Sequence, residues 1–200
     1  MATITPKKIT TKILDLCDGI ICKSIPEFIP IKTMKNAVLN DCFSNVKTKI
    51  VEDGGTIQYG WCIWEWKNVM VEAEFHAVWC SSNGGLVCVS PHDNEKEILF
   101  LPDDRKQFNG IDRTDNIRKS LRTEHVVDEF IQVCKELYAE KERLTKGKLG
   151  LVSMDVTPEL RIITKRYQML KMKIEQLPSL PKPNNFCPCG SGKKYKGCCP

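Results

Sequence analysis

The feature that most constrains the fold is a change in the spacing of apolar residues partway along the chain. From residue 57 to residue 101, apolar residues alternate with polar ones or stand in short β-branched and aromatic runs. After residue 115 they recur every three or four positions. A period of two is typical of half-buried strands, and a period near 3.6 is typical of helices. The sequence therefore predicts an α+β protein, with a small antiparallel sheet followed by a helical hairpin.

Four strands are predicted in the first half of the chain. The second of them, Val69 to Trp79, has apolar residues at alternate positions, so one of its faces is expected to be buried. Its other face carries Glu72, Glu74 and His76, which do not predict a metal site without further ligands from elsewhere. The turn Ser81-Ser-Asn-Gly-Gly85 predicts a hairpin with the strand that follows. The four predicted ranges are 57–66, 69–79, 86–90 and 97–101.

Two short helices are predicted before the sheet and two long ones after it. Residues 9–22 carry the first, and the capping pair Asn40-Asp41 starts the second at Cys42. The third is predicted over roughly 115–146, and the fourth over 158–177. The fourth has a coiled-coil-like apolar seam, which favours packing on the third helix as a hairpin, with self-association as an alternative. The seam consists of Leu160, Ile163, Tyr167, Leu170, Ile174 and Leu177.

The chain is expected to divide into four parts. An α+β body, with an N-terminal helix packed on the sheet, covers residues 1–110, and the helical hairpin covers residues 111–177. The proline-rich stretch that begins Leu177-Pro-Ser-Leu-Pro cannot stay helical, so residues 178–185 are predicted to form a semi-rigid linker. Residues 186–200 follow as a small separate unit.

The chain has eleven cysteines, and four of them cluster in the C-terminal tail. The N-terminus has no apolar segment of the signal-peptide kind, so a cytoplasmic location is expected, where clustered cysteines more often bind metals than form disulfides. The tail supplies Cys187-x-Cys189 and, after eight residues, Cys198-Cys199. Structural zinc takes four soft ligands in a tetrahedron, and a segment too small for a core would draw its folding free energy from the metal.

The run Cys187-Pro-Cys-Gly-Ser-Gly-Lys-Lys-Tyr-Lys-Gly-Cys-Cys199 resembles the SEC-C motif, the zinc knuckle at the C-terminus of the SecA preprotein translocase ATPase. The resemblance implies Zn²⁺ bound by Cys187, Cys189, Cys198 and Cys199. The fourth ligand is commonly His in SecA, and Cys199 takes that position here. The resemblance also implies docking onto a protein partner, since the knuckle of SecA engages the chaperone SecB and a ribosomal surface.

The distribution of charge bears on the kind of partner. Residues 1–110 hold 12 Lys and Arg against 14 Asp and Glu, whereas residues 111–200 hold 18 against 11. Four thiolates on one Zn²⁺ would leave the centre of the knuckle at −2, offset by nearby lysines, so the loaded tail is only mildly basic. A protein partner therefore fits the tail better than nucleic acid does. The sequence contains no apolar run of about 18 residues, so no membrane span is expected.

Cys42 and His76 form a candidate catalytic pair in the body. Cys42 stands at a predicted helix start, where the helix dipole and free N–H groups stabilise a thiolate. A cysteine at a helix start, a histidine on one strand and a third residue on the next strand resemble the core of transglutaminase-like and papain-like enzymes, as does the run Glu74-Phe-His-Ala-Val-Trp79. The resemblance implies an amidase, peptidase or acyl-transfer enzyme in which the thiolate of Cys42 attacks a carbonyl and His76 moves the proton.

Cys88 departs from the pattern of those enzymes. It stands where the family places the aspartate that orients the imidazole, and a thiol is a weak hydrogen-bond acceptor. His92, Asp93 or Glu74 would have to orient His76 instead, and without such a partner activity is low or lost. Two functions therefore stay open. The tail delivers either a cysteine hydrolase or acyl-transfer enzyme to its substrate, or a non-catalytic binding module, in which case the protein is an adaptor.

Overall fold

The computed structural model describes residues 3–92, 95–145, 156–182, 184–187 and 191–198. Within these ranges lie four α-helices, six strands and one 3₁₀ turn. The helices are α1 (Thr11–Ile20), α2 (Cys42–Asp53), α3 (His125–Thr145) and α4 (Pro158–Glu175), and the 3₁₀ turn is Tyr195–Gly197. The strands are β1 (Glu27–Pro30), β2 (Thr56–Trp66), β3 (Met70–Cys80), β4 (Leu86–Val87), β5 (Glu97–Pro102) and β6 (Ile117–Ser120). The chain is an α+β protein, as predicted.

The six strands form one antiparallel sheet in the order β1-β5-β2-β3-β4, and β6 pairs with one end of β3. Its centre is the long hairpin of β2 and β3, in which every residue from Thr56 to Trp66 has a partner. The alternating apolar pattern specifies this register, because a slip by one residue would turn the buried face of β3 to solvent. The predicted hairpin of β3 with β4 is also present.

The sheet curls until its two ends meet, so the strands form a nearly closed barrel. Ile31, just after β1, forms a parallel bridge with Cys88, just after β4. The Cys88 N–H donates to the Pro30 carbonyl (3.0 Å), and the Lys32 N–H donates to the Cys88 carbonyl (2.8 Å). This closure also ends β4 at Val87, earlier than the predicted residue 90, because the chain leaves β3 to reach β1. The barrel interior is filled by Ile29, Cys62, Val78, Cys88, Ile98 and Phe100.

The two short helices cover the outer face of the barrel. The buried Ile13, Leu16 and Cys17 of α1 pack on the part of β3 that carries Ala73 and Phe75. The α2 helix packs through Val46 on Ala77 and Val89. The predicted packing of an N-terminal helix on the sheet is therefore confirmed. Thr10 caps α1 by accepting a hydrogen bond from the Ile13 N–H, which supplies one of the partners that a helix start lacks.

The α3 and α4 helices form a hairpin that packs on the far end of the β2–β3 ribbon. The Trp66 ring lies 5.5 Å from the Phe130 ring of α3, centroid to centroid, and Met70 of the ribbon and Leu170 and Ile174 of α4 belong to the same cluster. The apolar seam predicted on α4 therefore packs against α3 and the β2–β3 ribbon of the same chain. The α3 helix begins at His125, not near residue 115 as predicted, because Ile117–Ser120 pair as β6 with the open edge of β3.

No helix within the described ranges combines the length and apolarity that crossing a membrane requires.

Candidate metal centre

Three side chains that can ligate a metal meet at one end of the barrel. The Cys88 Sγ lies 3.5 Å from the His76 Nε2 and 3.2 Å from the His92 Nε2. The three ligand atoms all lie within 4.8 Å of one another. His76 and Cys88 are buried, and His92 is half-buried. The cluster has the composition and spacing to hold a metal ion.

Two of these residues are held by the strands. His76 lies in the middle of β3, opposite Gly60 of β2. Both backbone polar groups of Cys88 bond to the segment that continues β1, which fixes its Cα where the barrel closes. The pairing of β3 and the closure of the sheet therefore determine where the imidazole of His76 and the sulfur of Cys88 lie.

The segment that carries His92 is pinned from several sides. The Val89 carbonyl accepts from the Met34 N–H (3.1 Å), and the Asn45 side chain donates to the Ser90 hydroxyl (3.1 Å). Asn45 is itself buried and also bonds both backbone groups of Val38. The turn that brings His92 back over Cys88 is thus tied to α2 and to the chain before it.

An aromatic wall supports the cluster. The Trp64 ring lies 5.5 Å from the His92 ring, measured between centroids, and the His76 and His92 rings are 5.9 Å apart. The Trp64 indole N–H donates to the Glu74 carboxylate at 2.7 Å. Burial raises the pKa of Glu74, although this hydrogen bond opposes the shift. Glu74 therefore orients Trp64. The Glu72 carboxylate instead forms an ion pair with Arg118 at 3.2 Å.

Burial sets the protonation of His76 and Cys88. It lowers the pKa of His76 to about 3, and the nearby His92 adds to the shift. It also raises the pKa of Cys88 to about 11. At neutral pH His76 is thus an uncharged imidazole, the form that binds metals, and Cys88 is a thiol whose proton a bound cation would displace.

The predicted catalytic pair is placed differently from a bonded nucleophile and base. Cys42 is the first residue of α2 and packs in the cluster of Val46 and Ala77. No hydrogen bond joins Cys42 to His76, both of which the structure describes. Burial raises the pKa of Cys42 to about 12, outweighing the opposing hydrogen bond with the Ala77 backbone. Three groups were expected as possible partners that orient His76. Glu74 binds Trp64, the His92 Nε2 contacts the Cys88 sulfur, and Asp93 lies outside the described residues.

The C-terminal tail is described in part. Cys187 and Cys198 are within the described residues, and Cys189 and Cys199 lie outside them. Phe186 and Lys194 form an antiparallel bridge. The Cys187 N–H donates to the Lys193 carbonyl (2.8 Å), and the Cys198 N–H donates to the Tyr195 carbonyl (3.1 Å). The segment is thus a small ribbon followed by a 3₁₀ turn.

The sequence alone does not indicate Cys88 and His92 as candidate metal ligands, and Cys88 stands out in it only as a departure from an enzyme pattern. The Cys-x₃-His spacing is a usable local signal, since zinc ligands often stand at such short intervals. The third candidate ligand, His76, is brought in by the barrel closure, which no local pattern predicts.

The chain matches no protein-family model, no curated protein and no solved structure.

Proposed function

We propose that this protein is a zinc-dependent adaptor whose C-terminal knuckle docks onto a protein partner. The observation that carries the proposal is an inverted exposure pattern in the tail. Cys187 is only 5% exposed, whereas the neighbouring Phe186 is 77% exposed. Hydrophobic burial alone would favour covering the phenylalanine, whose ring has far more apolar surface than a thiol. A buried thiol beside an exposed ring favours a fold organised around a metal.

The hydrogen bonds of the ribbon support a knuckle. The Tyr195 N–H donates to the Asn185 carbonyl (2.8 Å), which together with the bond from Cys187 pairs the two sides. Gly192, just before the second side of the ribbon, has a φ of +71°, a conformation that glycine adopts without strain. The pairing places Cys187 beside the segment that leads to Cys198, which is compatible with one tetrahedral ion bound by Cys187, Cys189, Cys198 and Cys199.

The exposed side chains of the knuckle favour a protein partner. Phe186, Lys193 and Lys194 are exposed. An aromatic ring flanked by lysines is suited to an apolar pocket with acidic groups at its rim. The resemblance to the SEC-C motif points in the same direction, toward a chaperone or ribosomal surface.

For the body, three observations favour a binding module over a cysteine hydrolase. Cys42 has no hydrogen bond to His76, and burial holds its pKa far above neutral. The His76 Nε2 lies 3.5 Å from the sulfur of Cys88. A nucleophile that is protonated and unpaired with a base is poorly placed to attack a carbonyl.

Zinc content tests the knuckle. The protein prepared without chelators is expected to lose one zinc ion per chain when Cys187 and Cys198 are both replaced by serine. The amides of residues 185–198 should then exchange hydrogen as fast as those of an unfolded peptide. Replacement of the exposed Cys22 by serine is the matched control and should change neither quantity. An unchanged zinc content in the double variant would overturn the proposal.

Site-specific crosslinking tests the docking. A photoreactive phenylalanine analogue at position 186 is expected to crosslink in cells to a discrete protein, and the crosslink should disappear in the Cys187→Ser/Cys198→Ser background. The same analogue at Ile25, which is 70% exposed on the body, is the positional control. Crosslinks that survive loss of the knuckle zinc, or that form equally from position 25, would contradict zinc-dependent docking.

A further inference from the structure

We propose that His76, Cys88 and His92 form a second metal site, which binds a divalent transition-metal ion, Zn²⁺ first of all, inside the end of the barrel. This site is distinct from the knuckle and does not depend on it.

The distances between the ligand atoms fit a tetrahedral ion. With Zn–S bonds of ~2.3 Å and Zn–N bonds of ~2.0–2.1 Å, a tetrahedron places a sulfur and a nitrogen ligand about 3.5 Å apart. The observed Sγ–Nε2 separations are 3.5 Å for His76 and 3.2 Å for His92. Two of the three separations therefore fit a tetrahedral ion, and the third, between the two histidine ligand atoms, lies within 4.8 Å.

The chemistry of the three atoms suits a divalent transition metal. Both imidazoles approach the Cys88 sulfur through Nε2, an atom that neutral histidine can offer to a metal. Two imidazoles and one thiolate suit zinc and other borderline cations, whereas Mg²⁺ and Ca²⁺ require oxygen ligands.

The site is held in place before any ion binds. His76 and Cys88 lie on paired backbone, and the turn between Cys88 and His92 is fastened through Ser90 to the buried Asn45. Trp64, oriented by Glu74, packs beside His92. Ligands carried by strands and supported by neighbouring side chains bind metals with little cost of reorganisation.

The site offers three protein ligands among the described residues, two imidazoles and one thiol. Zinc sites use three or four such ligands.

Metal counting tests the site in the full chain. In the Cys187→Ser/Cys198→Ser background the protein is expected to keep one zinc ion per chain, and adding either Cys88→Ser or His92→Gln should remove it. Adding Cys80→Ser and His125→Gln, which change a cysteine and a histidine outside the cluster, should leave it bound. In a chain with an intact knuckle, Cys88→Ser should leave only the knuckle ion bound. The zinc content of the two sets of variants therefore tests the barrel site and the knuckle separately.

Spectroscopy on the knuckle-deficient chain with an intact barrel covers the case in which the Cys88 and His92 variants do not fold. Cobalt substituted for zinc is expected to give a tetrahedral visible spectrum with a thiolate charge-transfer band. X-ray absorption at the zinc edge should fit one sulfur and two imidazole nitrogens. A knuckle-deficient chain that binds no zinc, or an ion with no sulfur or with several, would overturn the proposal in favour of a hydrogen-bonded cluster.

Discussion

Asp103 shows how a single carboxylate can be fixed where a strand ends. The Trp61 indole N–H donates to its Oδ2 (3.0 Å), and the Arg105 side chain donates to its Oδ1 (2.8 Å). These partners, Arg105 foremost, lower the pKa of Asp103 to about 2, although partial burial opposes the shift. The carboxylate thereby links the barrel wall to the loop after β5.

Because the folded-state pKa lies below the ordinary value, the ionised Asp103 stabilises the protein above pH ~4, and this contribution is lost as the pH falls toward 2. It amounts to about 2 kcal/mol. The free energy of unfolding, measured with urea between pH 2 and pH 5, should therefore fall less with acid in Asp103→Asn than in the wild type, by that amount. Asp104→Asn removes the same charge one position along and should keep the wild-type profile. Equal profiles for Asp103→Asn and the wild type would contradict this role.

Gly60 is required by the packing of the barrel. A Cβ built there would lie 2.4 Å from the Leu101 carbonyl oxygen and 2.5 Å from the Phe100 ring. We expect Gly60→Ala to destabilise the protein by about 3 kcal/mol, since backbone and a buried ring must both move. Gly19→Ala in α1, where nothing lies within 4 Å, should be neutral or stabilising by up to ~1 kcal/mol. Chemical denaturation of both variants measures the difference, and similar values would show that the barrel adapts at Gly60.

The raised pKa of Cys42 predicts a slow reaction with alkylating agents. At pH 7 we expect Cys42 to react with iodoacetamide roughly 100-fold or more slowly than the exposed Cys22, because the thiolate is the reactive form and burial limits access. Peptide mapping over time gives both rates in one sample. Rapid labelling of Cys42 that disappears in His76→Ala would instead favour the hydrolase.

At the scale of elements, α4 begins with a side-chain cap. The Thr157 hydroxyl accepts from the Leu160 N–H (3.1 Å) and donates to the Glu140 carboxylate (3.1 Å), so it joins the start of α4 to α3. Thr157→Ala should cost about 1 kcal/mol in urea unfolding. Thr164→Ala removes only a hydroxyl that bonds the Leu160 carbonyl within the helix, and we expect it to be close to neutral. Equal losses of unfolding free energy in Thr157→Ala and Thr164→Ala would mean that the Thr157 cap has no stabilising effect of its own.

Local patterns predicted the elements whose partners are close in sequence. The strands at 57–66 and 69–79 follow from alternation and β-branched or aromatic runs, and the β3–β4 hairpin follows from its turn. The α3–α4 hairpin follows from the apolar residues on each helix, which need only the neighbouring segment to be buried. The β6 strand was missed because Ile117-Arg-Lys-Ser has no alternating apolar face, and pairing with the free edge of Met70–Ala73 decides its conformation. The candidate metal cluster was missed because it depends on β1 meeting Cys88, a contact between distant parts of the chain.

At the scale of the whole molecule, the C-terminal tail (the proposed knuckle) and the helical hairpin are expected to respond separately to removal of metal. The backbone hydrogen bonds of the tail described above lie within residues 182–198, and those of α3 and α4 lie within the hairpin. Stripping the full chain with a strong chelator should therefore abolish amide protection in residues 185–198 and leave α3 and α4 protected. Hydrogen exchange followed by mass spectrometry measures both regions at once. Loss of protection throughout α3 and α4 would show that the tail supports the hairpin.

The junction of Ile31 with Cys88 has a consequence for how the molecule assembles. The β2–β3 hairpin can form by pairing outward from its own turn. The two ends of the sheet, by contrast, are far apart in sequence and are joined by only a few backbone hydrogen bonds. This β1–β4 junction is therefore expected to form last during folding and to open first when the native state fluctuates. The sulfur of Cys88 lies at the junction, so a bound ion there would crosslink the least stable part of the barrel wall.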